Sequence, residues 1–121
     1  GAKAVAGSST RLPFQSGSLN SVWNFGLLHH LTDEEAQQSI PEMIRVVKPT
    51  GKVIIFDGVM PREDWRNVLP WLIRKLDRGH YIRRQEALES LLINRNHWNI
   101  NRFRYSYTCL EGILCVYQKS L

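Results

Sequence analysis

Two adjacent histidines, His29 and His30, and one aspartate, Asp57, are the residues best placed by type and position to do chemistry. Histidine exchanges a proton near neutral pH, so the pair could serve as a base or hold a substrate. Adjacent histidines cannot chelate an ion as an i, i+4 pair does, and no CxxC or HxxEH run accompanies them, so no metal site is expected. A structural or orienting role is the favoured reading of both histidines over a catalytic one. Asp57 has the same two readings, as a polar site group or as a turn cap.

These residues fall at the ends of two apolar runs. Ser21–Leu28 (SVWNFGLL) is rich in β-branched and aromatic residues and reads as a strand, as does Lys52–Phe56. Between them Thr32 and Glu35 have capping-box spacing, and Asp33 and Glu34 suit the positive end of a helix dipole. Ala36, Ile40, Met43, Ile44 and Val47 recur at helical spacing and give that helix one buried stripe. Pro41 should kink or restart it near Ser39, and Pro49 with Gly51 should stop it, Gly51 supplying a positive φ. Strand, helix and strand of these lengths form a βαβ unit with parallel strands and a right-handed crossover. Ligands of such sheets bind outside the carboxyl ends of the strands, where Leu28, His29, His30 and Asp57 lie.

Beyond Gly58 the pattern predicts a helix over Arg62–Arg78, bent at Pro70, and a second over Arg84–Ile93. Phe103, Tyr105 and Tyr107 alternate with Arg102, Arg104 and Ser106 as in a half-exposed edge strand. Leu110–Gly112 reads as a turn and Ile113–Tyr117 as an interior strand. At the other end, Lys3–Ala6 could form a short strand.

With 121 residues and 43% hydrophobic composition, the chain reads as one domain, residues 1–121. No run is long enough to span a membrane and no leader is evident, so a cytoplasmic location is expected. Cys109 and Cys115 are read as free buried thiols, with a hairpin disulfide as the alternative. The net charge is +5, and Arg62–Arg104 carries ten Lys/Arg against five Asp/Glu. That excess could attract nucleic acid, but no dense basic run or aromatic interleave accompanies it, and solvated helical faces explain it.

The order LPF (Leu12–Phe14), a Ser/Gly turn, LHH (Leu28–His30), RVVKPTG (Arg45–Gly51) and VIIFD (Val53–Asp57) resembles the C-terminal half of a class I S-adenosylmethionine-dependent methyltransferase. The likeness is strong from Gly7 to Gly58 and extends to Leu121 by order of elements. It implies an α/β, truncated Rossmann-like methyltransferase fold. Such a fold has about four to five strands in a mixed sheet with crossover helices and a C-terminal β-hairpin. It also implies the sheet order first strand, second strand, last strand, hairpin edge. By resemblance Ser8, Leu12 and Leu28 would lie at the cofactor, Ser8 standing where the family carries an acid on the adenine amino group. Trp65, His80 and Tyr81 would be substrate contacts in the segment between the later helices.

The eight glycines contain no GxG pair, so the resemblance carries neither a glycine-rich loop nor a ribose-binding acid. The isolated chain is therefore expected not to bind S-adenosylmethionine well, unless a partner or a dimer completes the site. The strand Ser21–Leu28 would expose an apolar edge carrying Val22, Trp23, Phe25 and Leu27, and a homodimer or a partner chain through that edge is expected. Three readings follow: a truncated methyltransferase-like chain, a homodimeric binding or assembly module, and, more distantly, a nucleic-acid binder through Arg62–Arg104.

Overall fold

The structure, a computed structural model, describes residues 4–60, 72, 83–104 and 110–119. Strand β1 (Leu19–Phe25) leads through a 3-10 turn at Leu28–His30 into helix α1 (Asp33–Val46) and then strand β2 (Val47–Val59). Helix α2 (Gln85–Ser90), strand β3 (Trp98–Arg104) and strand β4 (Glu111–Gln118) follow. The sheet order is β1-β2-β4-β3, with β1 and β2 parallel and β4 antiparallel to both its neighbours. This is the mixed α/β sheet and the strand order expected.

Thr32 caps α1 as its spacing predicts: its side chain accepts from Glu35 N–H, and the Glu35 carboxylate accepts from Thr32 N–H at 3.0 Å. The helix runs unbroken through Pro41, against the expected restart near Ser39. Proline deprives the Gln37 carbonyl of its helical donor, and Gln37 is exposed, so water can replace the lost bond. Ala36, Ile40, Met43 and Ile44 bury the stripe against Val53, Ile55 and Val59 of β2 and Ile113, Cys115 and Tyr117 of β4. Leu88, Leu91, Leu92 and Trp98 extend the same core.

Several boundaries differ from the sequence reading. Strand β1 ends at Phe25, because Gly26 adopts a left-handed φ of 63° and turns the chain. Leu27 and Leu28 therefore lie beyond the strand. Val47 caps the helix instead of extending it, pairs with Leu19 and opens a strand that reaches Val59, with a register shift before Ser21↔Lys52. Gly51 is not at positive φ; it is needed because a Cβ there would stand 2.9 Å from both the Asn20 and Lys48 carbonyl oxygens. Helix α2 stops at Ser90, and Asn94 at φ 55° redirects the chain into β3.

The hairpin has the opposite parity from that expected. Trp98, Ile100 and Arg102 share the core side of β3, and Phe103 lies on the other face, over Gly112. Glu111 and Gly112 belong to β4 and not to a turn. The missing Cβ of Gly112 is what admits the Phe103 ring, which stacks on Phe56 with centroids 4.9 Å apart. The helix expected over Arg62–Arg78, apart from Leu72, lies outside the described residues, as do Tyr105, Tyr107 and Cys109. Among the described residues no helix is long and apolar enough to cross a membrane.

Candidate functional site

The site is the turn between β1 and α1, held from below by the end of β2. Asp57 is almost fully buried, at 1% exposure, where the inward alternation of β2 places it. Its Oδ2 accepts from the Leu28 N–H at 2.7 Å, and its Oδ1 accepts from the Gly58 N–H at 2.9 Å. His29 Nδ1 lies 2.7 Å from the same Oδ1. A buried carboxylate without such donors would be costly; here both oxygens are satisfied by the turn that they hold in place.

A second anchor comes from Arg83, which the sequence reading did not single out. Its guanidinium donates to the Leu28 and Leu31 carbonyls at 2.7 Å each and to Asp33 Oδ1 at 2.8 Å. Arg83 itself bridges to Val59, and its carbonyl accepts from Met60 N–H at 2.9 Å. The turn carrying His29 and His30 is thus pinned on its N–H side by Asp57 and on its carbonyl side by Arg83. His30 is exposed, its ring 4.1 Å from that of His29. No cluster of three His, Cys, Asp or Glu occurs among the described residues.

Beside β1 lies a groove of about 290 Å³ lined by Ser9, Leu12, Val22, Asn24, Leu27 and Met43, among others. Two of its polar atoms, Asn24 Oδ1 and Ser39 Oγ, are buried and have no partner. Asn24 spends its amide nitrogen on Met43 Sδ at 3.5 Å, so only the carbonyl is left over. Leu12 is on this groove; its N–H donates to Glu42 and its carbonyl accepts from Arg45. Arg45 also binds the Phe14 carbonyl and Ser16, so one Glu42–Arg45 pair fastens the whole segment to α1. The Arg45 guanidinium and the Leu12 N–H hold the Glu42 carboxyl down at about 2.

The residues named from sequence are distributed unevenly over this site. His29 and Asp57 are brought into contact, with His30 beside them. Leu12 faces the groove, whereas Ser8 is exposed and bonded to Thr10, and Leu28 is fully buried and offers a ligand no side-chain surface. Val22, Trp23, Phe25 and Leu27 all touch the groove, Trp23 and Phe25 being 60% and 61% exposed. Trp65, His80 and Tyr81 lie outside the described residues. Of the basic segment, Arg83 and Arg102 are spent internally, Arg102 on Glu111 at 2.8 Å, on Gln85 and on the Met60 carbonyl.

An S-adenosylmethionine cofactor asks for an acceptor at its adenine amine, apolar walls, and partners for its ribose and amino-acid ends. Leu12, Leu27 and Met43 supply the apolar walls, and the unpartnered acceptor beside them, Asn24 Oδ1, is itself buried. Among the described residues, the groove lining carries no charged side chain for the amino-acid end, so these residues do not fit the whole group by themselves.

Residues 2–55 match the family model described as "Methyltransferase domain". A Pyrococcus horikoshii OT3 protein has a similar fold, with TM-score 0.65 and 20% identity over 94% of this chain and 57% of its own. A SAM-dependent methyltransferase from Methanosarcina mazei is similar with TM-score 0.64 and 17% identity, covering 93% of this chain and 65% of its own. LepI in complex with SAM gives TM-score 0.60 and 16% identity, over 93% of this chain and 29% of its own. The chain thus spans less than two thirds of the length of each of these proteins. The match over residues 2–55 and the likeness in fold agree on a methyltransferase-like fragment whose mixed sheet is similar to that of solved SAM-dependent methyltransferases.

Proposed function

We propose that this chain is a methyltransferase-like protein of the S-adenosylmethionine-dependent class that is inactive as an isolated chain. It supplies the turn with His29 and His30, braced by Asp57, and the apolar groove beside β1. The cradle for the cofactor comes from residues outside these 121, in the same polypeptide or in another. The observation that carries this reading is the absence of any GxG pair in a chain whose strand-end turn is otherwise fully braced. Its test is calorimetric titration of S-adenosylhomocysteine. The chain alone should give no saturable heat, and the chain joined at Gly1 to a glycine-rich methyltransferase half should give it. Saturable binding by the chain alone sinks the reading.

A second reading rests on the edge of β1. Gly26 N–H donates to Phe56 O, so alternation along the strand turns the N–H and C=O groups of Ser21, Trp23 and Phe25 outward. Among the described residues no strand pairs with them, and no charge on Leu19–Phe25 blunts the edge. Pairing with a second copy would make the chain a homodimeric module. Replacing Trp23 and Phe25 with Lys should then leave monomers by light scattering; a wild-type monomer at micromolar concentration excludes it. The buried thiol of Cys115 is free, in keeping with a reducing compartment such as the cytoplasm.

A further inference from the structure

The face of the sheet turned away from α1 carries a row of aromatic rings. Alternation sends Val53 and Ile55 into the core and leaves Lys52, Ile54 and Phe56 on that face. The register sets Trp23 beside Ile54 and Phe25 beside Phe56. Gly112 extends the row: with no side chain on β4 at that point, Phe103 reaches from β3 across to Phe56. Ring centroids are 5.9 Å apart for Trp23–Phe25, 5.8 Å for Phe25–Phe56 and 4.9 Å for Phe56–Phe103. None of the four rings is buried, and the two on β1 are the most open. Beside the rings the same face turns polar. Lys52, Asn99, Asn101 and Gln118 line an open groove of about 530 Å³, with Val116 between them. Asn101 Nδ2 donates to Asn99 Oδ1 at 3.2 Å, which leaves the Asn99 amide nitrogen and the Asn101 carbonyl for a ligand. Lys52 is exposed, and no described Asp or Glu stands on the outward positions of the four strands.

We propose that this face binds a single-stranded nucleic acid, its unpaired bases lying on the rings of Trp23, Phe25 and Phe56 and its chain crossing the sheet toward the amides. Every base has a π-face, so such rings hold bases without reading their sequence. Bases already paired in a duplex offer no free face to a flat sheet. The Asn99 and Asn101 amides can bond base edges, and Lys52 can meet a phosphate. A cation with no acid beside it, in a chain of net charge +5, suits a phosphate-bearing strand better than a neutral sugar or an apolar helix. The surface is distinct from the basic segment Arg62–Arg104, and binding at it needs no methyl donor. The rings lie far apart in sequence, on three strands, so no local run of residues announces the platform that they form.

The test titrates the full chain, without cofactor, into a fluorescein-labelled mixed-sequence strand of about twelve nucleotides and reads anisotropy at low salt. RNA and DNA strands are run in parallel, each against a duplex of the same sequence. Saturable binding of a single strand, tighter than that of its duplex, is expected; either sugar supports the proposal, and the ratio of the two says which strand the face prefers. Trp23→Ala and Phe25→Ala should each weaken binding about tenfold with the salt dependence unchanged. Lys52→Gln should instead lower the salt slope by about 0.7. Trp23 and Phe25 are 60% and 61% exposed, so replacing them leaves the core intact. No saturable binding by the wild type, equal binding of the duplex, or full affinity in the Trp23→Ala, Phe25→Ala double variant each overturns the proposal. So does a wild-type dimer that binds no strand and falls to monomers in the double variant, since the face would then belong to a second copy.

Discussion

The Arg83 guanidinium donates to the Leu28 carbonyl at 2.7 Å across 55 positions of sequence, and so ties the segment after the undescribed stretch to the candidate site. Arg83→Met keeps the stem and removes three donors, leaving the Leu28 and Leu31 carbonyls without them. The partly exposed link to Asp33 adds little, since Asp33 is 69% exposed. Losing the carbonyl bonds should cost about 1–3 kcal/mol. Urea unfolding measures it, and an unchanged midpoint would show that the clamp is dispensable.

Acid should loosen the segment over the groove. Glu42 ionises at about 2 in the folded chain against 4.5 for the free group, first because Arg45 donates to it and then because Leu12 N–H does. A depressed folded value stabilises above the unfolded value and is lost as pH falls, here from about 4.5 down to about 2. Stability of the wild type should therefore decline through that window, and Glu42→Gln should flatten the decline. Parallel pH profiles for the two proteins would contradict the assignment.

Gly112 is held by the ring above it. A Cβ at that position would stand 2.4 Å from Phe103 Cζ, so Gly112→Ala must displace Phe103 from Phe56. The expected loss is about 1–3 kcal/mol, as for other overpacked contacts. Adding Phe103→Leu should recover part of it, a coupling that a double-mutant cycle reads directly. Additive effects would mean that the two residues do not share the space.

Burial pushes the Cys115 thiol up to about 12, with Glu89 nearby adding in the same direction. Thiolate, the reactive form, is then scarce at pH 8. In a Cys109→Ser background, native protein should resist Ellman's reagent and react at once when unfolded. Prompt native reaction would mean that Cys115 is not in the core.

What the sequence disclosed was mostly local. The Thr32–Glu35 box sits within one helical turn, and the α1 stripe repeats at one period, so both were readable from neighbouring residues alone. The strand order came from the family resemblance, which the topology matches. The parity of β3 was missed because Phe103 is accommodated by an absent side chain on another strand, Gly112, which hydrophobic alternation cannot register. Arg83 and the orphaned Asn24 Oδ1 were missed for a related reason: their meaning depends on contacts, or missing contacts, that only the folded chain assembles. His29 and Asp57 were named separately, and it was the depth of the β2 end that joined them.

The most direct measurement is thermal unfolding of the 121-residue chain with and without excess S-adenosylhomocysteine, with its mass in solution recorded alongside. A ligand at a hundred times its dissociation constant adds about 2.7 kcal/mol, an easily visible rise in Tm. The account predicts no rise for the isolated chain. A clear rise would contradict it, because the chain or its assembly would then hold the cofactor without a glycine-rich cradle.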